Sequence, residues 1–271
     1  VRAFSDDRVQ RADGTVTIDP KSDIEVINTE LALADVATIE NHLPKLQKEA
    51  KANPKLMPRL ALLRSVQSQL LAGKVPTEFH SFSSTELRQQ LDGLDLLTAK
   101  PVIYLFNVEE TDLTNQARQA ELRQLASQAT GQPPDRLTAV FVCAELESEI
   151  RSLSPVEASE LMADYGVTES SLDQLARVAY HTLGLQSFLT AGAKEVRAWT
   201  IHQGWTAPQA AGVIHTDFER GFIAAQVVSY HDLVELGSES AARSAGKIRT
   251  EGKTYIMQPD DVVEFRFNVS K

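Results

Sequence analysis

Apolar residues return at helical steps through two stretches near the front of the chain. Ile24, Ile27 and Leu31, then after one slip Val36, Ile39, Leu43 and Leu46, recur at intervals of three and four, the period that places side chains on one face of a helix. Asp19-Pro20 with Ser22 or Asp23 ahead of this run predicts a turn into a capped helix. Pro44 predicts a kink or a restart within it. Asn53-Pro54 ends the arm, and Leu56, Leu60, Leu63, Val66 and Leu70 form a second stripe before Gly73. Two long stripes joined by a short Pro-containing link predict an antiparallel, coiled-coil-like hairpin. Ser83-Ser84-Thr85-Glu86 has capping-box spacing and predicts a shorter helix through Leu91.

The period then changes. Residues 100–107 (KPVIYLFN) form a continuous apolar run, which suits a strand buried on both faces of a parallel sheet. Thr114 is placed to cap a helix over 115–129, and residues 137–143 (LTAVFVC) read as a second buried strand. Strand, helix and strand make one α/β crossover, and ligands of such sheets lie beyond the carboxyl ends of the strands. Asn107 and Cys143-Ala144 stand at those ends. Ser154-Pro155-Val156-Glu157 starts a further helix by cap and first-turn Pro. Another covers 169–183 with Leu172, Leu175, Val178, Ala179 and Leu183 as its buried side, and Gly184 breaks it.

From residue 185 the pattern is that of strands around one short helix. Residues 186–190 and 196–201 predict a hairpin, and Thr206-Ala207-Pro208-Gln209 is a capping box with Pro in the first turn. Ala210, Ala211 and Ile214 give that helix a small apolar face. Residues 222–229 (FIAAQVVS) return as a strand. Val263, Phe265, Phe267 and Val269 alternate with Glu264, Arg266 and Asn268, a strand half covered by a helix. The unit is a helix lying across a small mixed sheet.

A chain of 271 residues that is 42% apolar can bury a substantial core and has room for two domains. No run approaches the roughly eighteen apolar residues of a membrane span, so no membrane partner is expected and cytoplasm is the default. The single cysteine, Cys143, excludes an internal disulfide and a multi-cysteine metal site and fits a reducing compartment. A formal charge of −10 argues against a surface that wraps nucleic acid as a whole and leaves room for a local RNA patch. No DNA specificity is expected. The six histidines lack metal-ligand spacing, and His215-Thr216-Asp217 reads as a loop fixed by hydrogen bonds. With no Ser/His/Asp signature and no paired carboxylates on rigid elements, no catalytic acid or base can be nominated.

Four phrases share an order and a spacing with one known module. KEVRAWTI, TAPQAAG.IHTDFE.GFI, GK.R.EGK.YI and DDVVEFRFNV resemble the TGS domain, a β-grasp fold, in the form carried by the YchF/Obg-like ATPase family. Upstream, DP..DIE.INTEL.LAD resembles the same family. The resemblance implies an α/β chain. Residues 1–28 and 99–184 would be part of a Ras-like P-loop nucleotide-binding domain, 29–98 a helical hairpin insertion, and 185–271 the TGS domain. The hairpin would be a partner surface, or a brace that its apolar stripes suit equally well. Val1-Arg2-Ala3-Phe4 corresponds to a strand in the middle of the nucleotide-binding domain. Neither GxxxxGK[ST] nor DxxG occurs in these residues. The chain is therefore expected to be a fragment, or the ordered part, of a longer protein, and to lack ATP hydrolysis by itself.

Asn107-Val108-Glu109-Glu110 stands where a Ras-like G protein has its base-reading NKxD. An Asp in the fourth place accepts bonds from guanine N1–H and the 2-amino group; adenine offers neither donor. Glu110 carries an extra methylene that moves its carboxylate away from that position. The resemblance is to the NxxE variant that makes this family prefer ATP to GTP. It implies that Asn107 bridges loops and contacts the base, that Val108 lines the adenine site, and that Phe4 is a further base contact. Cys143-Ala144-Glu145 falls where G proteins carry SAK, whose amides meet the base, although the thiol itself suits a small buried residue at a strand end. The native protein is thus expected to bind ATP with magnesium and to associate with the ribosome or RNA; this fragment is expected to hold no cofactor and no metal. Trp205 and Arg220 are the RNA or partner candidates. The competing reading is a non-catalytic ribosome- or RNA-binding module. A synthetase or stringent-response TGS fragment is disfavoured by the NxxE and DIE.INTEL phrases.

Overall fold

Helix α1, Pro20–Ala52, is the longest element of the chain's first unit. The computed structural model describes residues 1–6, 14, 17–74, 76, 79, 91, 93–192 and 195–268, and the chain divides into two units, Val1–Ala176 and Arg177–Lys271. The predicted capping box at 83–86 and the end of the closing strand at Val269 lie outside the described residues. As expected, the Asp19 carboxylate starts α1 by accepting from the Ser22 amide at 3.0 Å. The helix does not restart at Pro44. Leu43 and Leu46 on either side are buried, whereas Pro44 and Glu40, whose carbonyl loses its bond to the missing Pro N–H, lie on the exposed side.

Asn53 ends α1, and a 3-10 turn, Pro54–Leu56, leads into α2, Met57–Leu71. Ala32, Val36, Ile39, Leu43, Leu46 and Ala50 pack against Leu60, Leu63, Val66 and Leu70, the predicted hairpin. Ile27, expected on this stripe, is 54% exposed. The slip in the pattern divides α1 between two cores, since Ile24 packs instead with the sheet described next. A charged residue takes a core position on α1. Asp35, 1% exposed, accepts from the Leu97 and Thr98 amides and the Thr98 hydroxyl at 2.7, 2.8 and 2.6 Å.

Strands β1, Ile103–Asn107, and β2, Thr138–Val142, are parallel, with Asn107 opposite Val142. Helix α3, Gln116–Thr130, connects them and is capped by Asn115, not Thr114, through a bond from the Arg118 amide. The first residues lie along the other edge of β1, where Ala3 N–H donates to Asn107 O and Asn107 N–H to Val1 O at 2.8 and 2.9 Å. Burial alternates along β1: Tyr104 and Phe106 are buried, Ile103 and Leu105 half-buried. The continuous apolar run therefore has one fully covered face, packed on Ile24, Leu122 and Ala126. Beyond β2 come α4, Ala144–Ile150, and α5, Pro155–Asp164, opened by the predicted box between Ser154 and Glu157. Helix α6, Ser171–Thr182, leaves Leu172 and Leu183 exposed and Leu175, Val178 and Ala179 half-buried, so its expected buried side lies outside the hydrophobic clusters.

Among its described residues the second unit has five strands, β3 (Leu185–Ala191), β4 (Val196–His202), β5 (Phe222–Ser229), β6 (Arg249–Glu251) and β7 (Asp261–Phe267). Their order is β4-β3-β7-β5-β6, with β3 and β7 parallel and every other pair antiparallel. Helix α7, Ala207–Ile214, lays Ala207, Ala210 and Ala211 on Phe188, Ile201, Ala225, Val227 and Val263. Three alanines let its backbone approach the sheet closely. Helix α8, Thr216–Arg220, then ends at Gly221, where a Cβ would fall 2.0 Å from the Asn268 carbonyl oxygen. Helices α9, Tyr230–Leu236, and α10, Glu239–Ser244, bring Leu233, Leu236 and Ala242 to Val228 and Val262.

Tyr255 and the buried Asp261 tie the β6–β7 connection together. The phenol donates to Asp261 Oδ2 at 2.9 Å, and the Gln258 amide donates to the same oxygen at 2.8 Å. Burial first, and then this bond to a carboxylate, push the Tyr255 hydroxyl from 10.0 up to about 12. The folded chain holds this proton to higher pH than the unfolded chain. Its contribution to stability is therefore complete below pH 10.0 and lost as pH climbs through about 12. Ultraviolet titration should show one phenolate appearing last, and Tyr255→Phe should remove that step; its persistence in the variant would contradict the assignment.

Candidate nucleotide-base site

The parallel register brings the carboxyl ends of β1 and β2 side by side, and a loop leaves each. Asn107, the last residue of β1, uses its main chain to hold Val1 and Ala3. Its side-chain oxygen accepts from the Ala144 amide at 3.1 Å. The next residue, Val108, donates its N–H to Val142 O at 2.8 Å and buries its side chain. The two loops are thus joined twice, once by a side chain and once by the backbone. Cys143, buried, precedes α4, and Ala144, exposed, opens it.

The loop after Val1–Ala3 is braced from within. Arg2 donates through Nε to Phe4 O at 3.1 Å and through Nη2 to Asp6 O at 2.7 Å, and its guanidinium lies 5.2 Å from the centre of the Phe4 ring. Phe4 is half-buried. Glu109 joins this loop to the one after β1: its Oε1 accepts from both the amide and the hydroxyl of Ser5, at 3.2 and 3.1 Å. Glu110 begins a 3-10 turn, Glu110–Asp112. Its negative charge is the leading cause that raises the Tyr165 hydroxyl above the ordinary tyrosine value. The turn after α5 reaches the same region, since a Cβ on Gly166 would stand 3.6 Å from Thr114 Cγ2. Farther along, the Ser171 amide donates to the buried Glu147 of α4.

Five of the six base-site candidates, Phe4, Asn107, Val108, Cys143 and Ala144, therefore belong to three loops stitched at one end of the sheet. Glu110 follows in the same connection. Ser5, Glu109 and Tyr165 were not anticipated. Ser5 and Glu109 are 104 residues apart, and no local spacing joins them. Tyr165 sits at the end of α5 with no motif around it. Chemically, the cluster offers the exposed Ala144, whose N–H is taken by Asn107, a fixed amide side chain and a carboxylate acceptor, a set suited to the edge of a base.

The two RNA candidates differ in exposure. Trp205 is half-buried against the α7 core and lies just before that helix; Arg220 is exposed and follows it at the end of α8. Trp205 accordingly acts first as packing. Among the described residues, His231, Asp232 and Glu235 form the one group of three with metal-binding proximity. Asp232 is already engaged, through Oδ1 with Lys247 at 2.9 Å and through Oδ2 with the Ser229 hydroxyl at 2.8 Å. Bonds from Lys247, then Ser229, lower its pKa below the usual carboxylate value.

Comparison with known proteins places this arrangement in context. The YchF-GTPase_C family, described as a protein of unknown function (DUF933), matches residues 185–268. The chain is 42% identical over 270 residues to the ribosome-binding ATPase YchF of Bacillus subtilis, covering 99% of this chain and 72% of the relative. It is 38% identical to Obg-like ATPase 1 of Pongo abelii, covering 98% of this chain and 67% of the relative. The solved structure of a Schizosaccharomyces pombe YchF GTPase matches with a TM-score of 0.79 at 32% identity, over 98% of this chain and 70% of that one. Among the described residues no helix is long and apolar enough to cross a membrane.

Proposed function

The chain belongs to the YchF family, and on that footing we propose that it carries the base-reading part of an ATP-binding, ribosome-associated ATPase of the P-loop class. The observation that supports this most is the bond from Ala144 N–H to Asn107 Oδ1, 3.1 Å. It joins the loops after two parallel strands where a nucleotide base is read. Residues 1–28 and 99–184 are taken as part of the nucleotide-binding domain, 29–98 as its helical insertion and 185–271 as a TGS-type domain. The insertion and the last domain are the proposed contacts with the ribosome or its RNA, in the cytoplasm.

In this reading Asn107 orients the base-facing main chain and Val108 supplies apolar contact. Glu110 replaces the Asp that would receive the two donors on guanine. Losing two buried hydrogen bonds costs on the order of a few kcal/mol, enough to remove a preference for guanine. The exocyclic amine of adenine instead presents a donor to these loops. Magnesium accompanies ATP in the native protein. Of the acids near the base site and in the one group with metal-binding proximity among the described residues, Glu109 is already held by Ser5 and Asp232 by Lys247 and Ser229. No step of hydrolysis is assigned to these residues, and GxxxxGK[ST] is absent from the 271 residues.

Amide-resolved NMR titration of this chain tests the reading. ATP and AMP should shift Val108 and Ala144 with affinities within about threefold of each other, because the phosphate-cradling GxxxxGK[ST] loop does not occur in these 271 residues. GTP should bind at least about tenfold more weakly, the factor that 1.4 kcal/mol represents. GTP binding as tight as ATP binding would overturn the base assignment, and magnesium-dependent ATP turnover by this chain would overturn the assignment of hydrolysis to residues outside it. A second reading, a binding module without nucleotide, is favoured by that missing motif. It predicts ribosome co-sedimentation without any response to ATP.

A further inference from the structure

We propose that Glu109 is a positioning residue that sets where Phe4 stands relative to Asn107 and Val108, and so tunes adenine-nucleotide affinity; this rests on the base-site reading above. Strand β1 and the chain start are joined by main-chain bonds between Asn107 and Val1 and Ala3. Beyond Asn107 the ladder is continued by a side chain. Glu109 Oε1 receives the Ser5 amide at 3.2 Å and the Ser5 hydroxyl at 3.1 Å. Phe4 and Val108 are the residues lying between these two rungs, Ala3 with Asn107 and Ser5 with Glu109. Both are candidate base contacts, and both lie in segments fixed on each side.

The arrangement is directed at Phe4 from the other side as well. Arg2 grips the carbonyls of Phe4 and Asp6 and sets its guanidinium near the Phe4 ring. Arg2 shapes the turn locally; Glu109 is the tie that crosses to the base-reading loop. The residue is exposed and fills no core position, so its removal leaves packing intact. One carboxylate oxygen taking two donors from one residue holds that residue in place. A solvated acid in this position would point into water and make neither bond.

The chain is titrated with ATP while Val108, Ala144 and Ser5 amides are followed by NMR. Glu109→Ala should weaken ATP binding about tenfold, the upper range for losing hydrogen bonds to a charged group in a partly solvated place. It should speed hydrogen exchange at Ser5 in the nucleotide-free chain and leave the thermal midpoint in place. Glu109→Gln, which keeps an accepting oxygen, should restore affinity to within about threefold. Unchanged affinity in Glu109→Ala, with ATP binding normally to the unsubstituted chain, would overturn the positioning role alone. Tighter binding in both variants would also overturn it, marking the carboxylate as a repulsive charge near the phosphates. Absence of ATP-dependent shifts in the unsubstituted chain would overturn the base-site reading and this role together.

Discussion

Asp35→Ala is expected to cost the first unit about 4 kcal/mol of stability, because three donors lose their acceptor at once. An orphaned donor costs about 1–3 kcal/mol each when buried, and bonds to a charged group lie at the upper end for net worth. The Leu97 amide, the Thr98 amide and the Thr98 hydroxyl all end on this one carboxylate. They belong to the segment that enters β1, so the loss releases a tie between the helical hairpin and the strand that carries Asn107. Asp35→Asn keeps one acceptor oxygen and places an N–H₂ against the remaining donors. It should recover less than half of the loss. Urea unfolding followed by far-ultraviolet circular dichroism measures both, and an Asp35→Ala cost under about 1 kcal/mol would mean that water replaces the carboxylate at this site.

Asp35 also marks the limit of what could be read from the chain alone. The hairpin stripes from Val36 to Leu46 and from Leu60 to Leu70 were legible because every turn of each helix repeats the same burial. The capping boxes at Ser154 and Thr206 were legible because their partners are three residues away. An acid at position 35 shows no such partner, since Leu97 lies 62 residues farther along, and an acid amid apolar positions usually marks a solvated edge. The same distance problem hides Glu109 and Ser5. The bond from Ala144 to Asn107 spans 37 residues; the family resemblance implied that Asn107 bridges loops, but nothing in the chain named Ala144 as its partner. The buried side expected of α6 was misread for a different reason. A helical stripe states which residues share a face, and the surrounding fold decides whether that face is covered.

Phe106→Ala is expected to be the other large loss, about 4 kcal/mol, in the range for truncating a fully buried aromatic side chain. Its ring is fully buried and lies stacked on Phe141 with 5.5 Å between centroids, and the Arg123 guanidinium lies 4.8 Å from the centre of the Phe141 ring. The pair joins β1 to β2 immediately before Asn107 and Cys143 leave the sheet. Truncation therefore loosens the register on which the base-site loops depend, as well as opening a cavity. Phe106→Leu refills much of that volume and should cost under about 1.5 kcal/mol if the core repacks around it. The decisive comparison is ATP affinity at a temperature where each variant is folded. Retention in Phe106→Leu with a severalfold loss in folded Phe106→Ala would tie the site to strand register. Equal affinity in both would mean that the bonds from Val108 to Val142 and from Ala144 to Asn107 hold the loops without help from the aromatic pair beneath them.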